Sequence, residues 1–148
     1  MKFLTPFFLV LIVLFTSCAQ QSEPQAVTLE EQVASLVEEK KFDEAISLLQ
    51  SADNNEPTVV ALLAKTHLDY GIYIEYDNNE IPMRDKMTGA LRQYIEVLKL
   101  EPENEKAIAE IDQIIGIYQT MPGRTLPADI LDELRARGLD GGIQPDAE

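Results

Sequence analysis

The chain has 148 residues and a formal net charge of −14, with 26 acidic side chains against 12 basic ones. That length suits one domain, and so negative a surface repels phosphate backbones and anionic headgroups, which excludes nucleic acid as an expected partner. The single cysteine excludes an internal disulfide, so the fold must rest on packing alone.

The first element is an address. Lys2 precedes an unbroken apolar run, Phe7-Phe8-Leu9-Val10-Leu11-Ile12-Val13-Leu14-Phe15, which ends in the small residues Thr16 and Ser17. A basic start, a short apolar core and small residues at a cut site make a secretory signal peptide over residues 1–17. A membrane-spanning helix is the rival reading. Residues 3–15 in helical form reach only about 20 Å, short of a hydrocarbon core of about 30 Å. The segment Phe15-Thr16-Ser17-Cys18 resembles the lipobox of bacterial lipoproteins, with Phe15 where leucine is usual. The resemblance implies cleavage before Cys18, lipidation of that cysteine and a place in the cell envelope. Ala19, where an aspartate would favour inner-membrane retention, implies the outer membrane in a Gram-negative organism, facing the periplasm or the cell surface. Several acyl chains hold firmly, since each buried CH₂ contributes about 0.8 kcal/mol.

Residues 18–27 are polar and read as a tether. Thr28-Leu29-Glu30-Glu31 fits a capping box, and Leu29, Val33 and Leu36 follow at helical spacing. Lys40-Lys41 suits that helix's negative end. A second helix starts near Phe42, with Ala45, Ile46, Leu48, Leu49 and Ala52 on its apolar side, and Asp53-Asn54-Asn55-Glu56-Pro57 turns the chain. Thr58 is expected to cap a third helix through Val60, Leu63, His67 and Tyr70. Residues 71–89 are less regular, with 71–76 the one stretch that hints at a strand. A fourth helix runs from about Thr88 through Leu91, Tyr94, Ile95 and Leu98 to Glu101-Pro102. Asn104 is expected to cap a fifth, striped by Ile108, Ile111, Ile115 and Tyr118 and stopped at Met121-Pro122-Gly123. Pro127 opens a last short helix through Ile130, Leu131 and Leu134, closed by Gly138. The Gly-rich, acidic residues 139–148 read as a disordered tail. The expected fold class is all-α, with the helical domain over 28–138.

A repeat runs through the helices. Ala45, Leu49, Ala52 and Pro57 share their intervals with Ala90, Tyr94, Val97 and Pro102, and Leu29 stands 34 residues before Leu63. That period belongs to tetratricopeptide repeats. The chain resembles a short array of that family over roughly residues 27–118, most visibly in Phe42-Asp43-Glu44-Ala45-Ile46 and Leu98-Lys99-Leu100-Glu101-Pro102-Glu103-Asn104. The resemblance implies an α-solenoid of about two and a half repeats. His67 departs from it, standing where a small residue is usual, and a shifted register would place Ala64 there. Residues 71–89 are an insertion, and the third unit lacks a second helix. Since about three repeats are usually needed, the insertion and residues 126–138 are expected to cap the array, or the chain to self-associate.

No motif points to catalysis, and the chain is not expected to be an enzyme or to need a cofactor. His67 is the only histidine and no second one or free cysteine is present for zinc. Asp77-Asn78-Asn79-Glu80 with Asp85 suggests calcium only loosely, because Ile81 occupies the fifth ligand position of an EF-hand loop and its glycine is missing. The crowd of Tyr70, Ile72, Tyr73, Ile74 and Tyr76 is read as an extended helix buried against the cap, or as an aromatic contact surface.

In tetratricopeptide proteins the first helices of each pair line a concave face that binds partner segments. Carried over by repeat position, the partner-binding residues are Glu30, Ala34 and Val37 with Val27, then Ala61, Ala64, Leu68 and Ile72, then Ala109 and Gln113. This set implies a membrane-anchored adaptor for a protein or peptide partner. The alternative is an accessory subunit of an envelope assembly or secretion complex.

Overall fold

A computed structural model describes residues 27–53, 55–121, 123 and 125–144. Cys18, the signal segment and most of the tether lie outside them. The described residues are all-α and form six α-helices, α1 (Leu29–Glu38), α2 (Phe42–Gln50), α3 (Pro57–Ile72), α4 (Met83–Leu100), α5 (Glu105–Thr120) and α6 (Ala128–Arg135), with a π-helical turn at Tyr73–Asp77 that prolongs α3. None of the described helices is long and apolar enough to cross a membrane.

Local chemistry accounts for most of the ends. The Thr28 backbone donates to Glu31 Oε2 at 2.8 Å and Glu31 N donates to Thr28 Oγ1 at 3.2 Å, closing the capping box of α1. At the other end Lys40 takes φ 61°. Lys40 N then donates to Val37 O and Lys41 N to Leu36 O, the paired bonds of a Schellman cap. Gly usually fills that left-handed position. Lys40 offsets some of the strain by holding its ammonium 5.3 Å from the Tyr73 ring and 6.0 Å from that of Phe42. Asn104 Oδ1 accepts from Ala107 N at the start of α5. Gly138, at φ 71°, and Leu139 cap the end of α6 by donating to Arg135 O and Leu134 O.

Two boundaries differ from expectation. Thr58 does not cap α3. The N-cap is Glu56 and Pro57 occupies the first turn, where a residue with fixed φ and no N–H is at no disadvantage. The Thr58 hydroxyl donates to Glu56 Oε1 instead. Helix α4 begins at Met83, five residues before Thr88, so the irregular stretch shrinks to residues 78–82. The reason is the π turn. Asn78 N donates to Tyr73 O, five residues back, and the wider turn shifts the apolar residues off the 3.6-residue period. The strand hint at 71–76 is thus helix and π turn.

Each helix packs on its predecessor from α1 to α5, and α6 returns to α4. Connections this short turn consecutive helices back on one another. Two apolar clusters result. The smaller holds Val33, Ala45, Leu49, Val59 and Leu63 between α1, α2 and α3. The larger joins Ile74 and α4 to α5 and α6 through Leu91, Tyr94, Ile111, Ile114, Leu131 and Leu134, among others. Ala45 and Ala90 are fully buried, one in each cluster.

The expected disordered tail is also corrected. Residues 139–144 fold back, Ile143 is buried in the larger cluster, and its carbonyl accepts from Arg135 Nη2 at 3.0 Å. Gln119 Nε2 donates to Gly141 O. Two apolar residues, Leu139 and Ile143, suffice to dock a segment whose remaining composition is polar. Residues 145–148 lie outside the described residues.

Candidate functional site

The residues assigned to the groove divide by exposure. Glu30 and Ala34 on α1, Ala61 on α3, and Ala109 and Gln113 on α5 are exposed, as is Val27. Val37 is half-buried against the smaller cluster, and Leu68 and Ile72 against the larger one. Ala64 is not available to a partner. It is 1% exposed, because α3 turns Leu63, Ala64 and His67 together toward the interior.

Beside Ala109 and Gln113 lies a polar network that sequence reasoning missed. The π turn places Glu75 inward, where it is 7% exposed, and Tyr76 outward, where it is 49% exposed. Tyr94 Oη donates to Glu75 Oε2 at 2.7 Å, and Gln113 Nε2 donates to Glu75 Oε1 at 3.2 Å. Gln113 Nε2 also reaches Tyr76 Oη at 2.7 Å. Tyr76 Oη in turn donates to Glu110 Oε2 at 2.9 Å, and Lys106 pairs with Glu110 from the preceding turn of α5. The network therefore links the π turn to α4 and α5. Of these residues only Gln113 falls in the set that repeat position assigns to the groove, and Tyr76 belongs to the aromatic crowd. A glutamate inside an otherwise apolar, aromatic run was the available signal for the rest.

That aromatic crowd separates into parts. Tyr70 stacks on Phe42 with centroids 4.7 Å apart, Tyr73 lies beside the same ring, and Ile74 enters the core. Tyr76 alone presents an exposed ring, anchored at its hydroxyl.

Electrostatics follow from this burial. Desolvation raises the Glu75 carboxyl above its usual value of 4.5. The bond from Tyr94 opposes the rise, and the charge of Glu110 reinforces it. Tyr76 is pushed up to about 12, chiefly by desolvation and by the bond it donates to Glu110. The folded state thus holds the Glu75 proton more tightly than the unfolded chain does. As pH falls through the raised value, this group adds stability, and the gain is complete below about 4.5. Glu75→Gln is expected to remove that part of the pH dependence, as read by urea midpoints between pH 4 and 7. An unchanged profile would place the coupling elsewhere. Asp129 beside Arg92, and Glu133 beside Arg137, are held below the usual carboxylate range. Their contributions have the opposite sign and are lost only at lower pH.

The 77–80 turn is closed by its own side chains. Asn78 Oδ1 accepts from Glu80 N, and Asn79 Oδ1 accepts from the Lys86 ammonium at 3.1 Å. Among the described residues no group of three His, Cys, Asp or Glu is placed to hold a metal ion. No protein-family model, curated protein or solved structure matches the chain.

Proposed function

We propose that this chain is a lipid-anchored interaction scaffold of the bacterial cell envelope, with a tetratricopeptide-like helical array that receives an extended segment of a partner protein. One observation carries the reading. Ala34, Ala61, Ala109 and Gln113, on the alternate helices α1, α3 and α5, are all exposed, while Ala45 and Ala90 are buried at corresponding points of α2 and α4. Small exposed residues let a partner's backbone approach closely. Tyr76 and Gln113 add an aromatic surface and a polar group at the α5 end, the chemistry enriched at binding hot spots. Cys18, reached through the tether, fixes the scaffold at the membrane.

Ala61 and Ala109 are the positions to test. Leu68 and Ile72 help to cover the larger cluster, so charging them would disturb folding as well as binding. In cells, crosslinked partners are expected to be lost from Ala61→Arg and Ala109→Arg proteins whose helical content is unchanged. Cys18→Ser is expected to move the protein from the membrane to the soluble fraction. Equal capture by wild type and both arginine variants overturns the groove, and an unchanged N-terminus upstream of Cys18 overturns the anchor.

A further inference from the structure

A second concavity lies between α2, α3, α4 and α6, and none of the residues assigned to the groove lines it. Its volume is about 440 Å³, the size of a small-ligand site. Ile46 supplies most of the apolar wall, backed by Ile95 and Ile130, which are almost wholly buried, and His67 with Gln93 supplies a polar one. His67 Nδ1 lies 2.8 Å from Gln93 Oε1. A carbonyl oxygen only accepts, so Nδ1 carries a proton, and in the neutral ring Nε2 is then an acceptor. Nε2 has no partner among the described residues, and His67 is 8% exposed.

The charges around the opening are unbalanced. Four carboxylates, on Asp43, Glu96, Asp129 and Glu133, face two cations. Both cations are engaged: Arg92 with Asp129, and Lys99 with Glu96 at 2.9 Å and Glu133 at 3.5 Å. The Asp43 carboxylate makes no hydrogen bond or ion pair among the described residues, and it is exposed. The cleft thus offers acceptors and surplus negative charge beside aliphatic walls, with its cationic donors already spent. Anionic ligands are disfavoured by the same arithmetic.

We infer that this cleft binds a small aliphatic amine or guanidine, with its cationic head between Asp43 and His67 Nε2 and its methylene stem along Ile46, Ile95 and Ile130. The His67 ring, in the tautomer that donates from Nδ1 to Gln93, accepts from the ligand at Nε2, Asp43 supplies the countercharge, and the isoleucines exclude water from the stem. The site is independent of the partner groove.

Agmatine, which carries both head groups on a four-carbon stem, is the probe for titration of the full chain by NMR. Saturable shifts are expected at His67, Gln93 and the isoleucine methyls. Asp43→Asn, an exposed change, is expected to weaken binding about tenfold, the effect of one charge-assisted hydrogen bond. Asp112→Asn, equally exposed on α5 and away from the cleft, controls for diffuse attraction to an acidic surface. His67→Gln, which lacks the imidazole Nε2, is expected to weaken binding while leaving Asp43 in place. Shifts that do not saturate, or equal losses in Asp43→Asn and Asp112→Asn, overturn the inference. So does unaltered binding by a folded His67→Gln protein.

Discussion

Leu49→Ala is expected to release α1 and α2 from a molecule whose other end stays folded. Leu49 is fully buried in the smaller cluster, where Val33, Ala45, Val59 and Leu63 are its buried neighbours. Truncating a buried leucine costs about 2–5 kcal/mol, depending on how far the cavity closes. Here the cavity opens in a cluster with few members, so little other burial offsets it. The larger cluster, from Ile74 through α4 and α5 to Leu134 and Ile143, does not include Leu49. Hydrogen exchange is the measurement. Amides of α1 and α2 should lose protection while those of α4 and α5 keep theirs. Equal loss along the chain would mean that α3 couples the clusters into one cooperative unit.

Gly71→Ala is expected to destabilise the fold by about 2 kcal/mol, although alanine is the better helix former. A Cβ at position 71 would sit 2.4 Å from Tyr94 Cε1 and 2.8 Å from Cδ1. The Tyr94 ring is wholly buried and its hydroxyl is held on Glu75, so it cannot swing aside without breaking that bond. Gly116→Ala provides the control. Nothing lies within 4 Å of a Cβ there, so the same substitution inside α5 should stabilise by up to about 1 kcal/mol. Thermal unfolding of the two variants should shift in opposite directions. A Gly71→Ala protein as stable as wild type would show that α3 and α4 can separate slightly around position 71.

Sequence rules recovered what depends on a few neighbouring residues. The capping box at Thr28, the Asn104 cap and the Gly138 stop each need only a local pattern, and each is present. The all-α class followed from the apolar periodicity. The α3–α4 connection was harder to read because the π turn breaks that periodicity while preserving the helix. Ala64 was misplaced because its burial depends on how α3 rotates against its neighbours, which repeat position does not determine. The polar network was invisible for a related reason. Glu75, Tyr94 and Glu110 are far apart in the chain, and only the packed helices bring their oxygens together.

The π turn at Tyr73–Asp77 behaves as a spacer in a gear train. Loss of a single codon within it would let the backbone relax into ordinary α-helix and turn the residues beyond by about 100°. Helix content and composition would hardly change. The teeth would nevertheless mesh differently, with the Glu75 carboxylate turned from Tyr94 and the Tyr76 ring from Glu110. A variant of this kind should be sought among closely related chains as a natural experiment: the same helices, advanced by one notch, with a different surface turned outward.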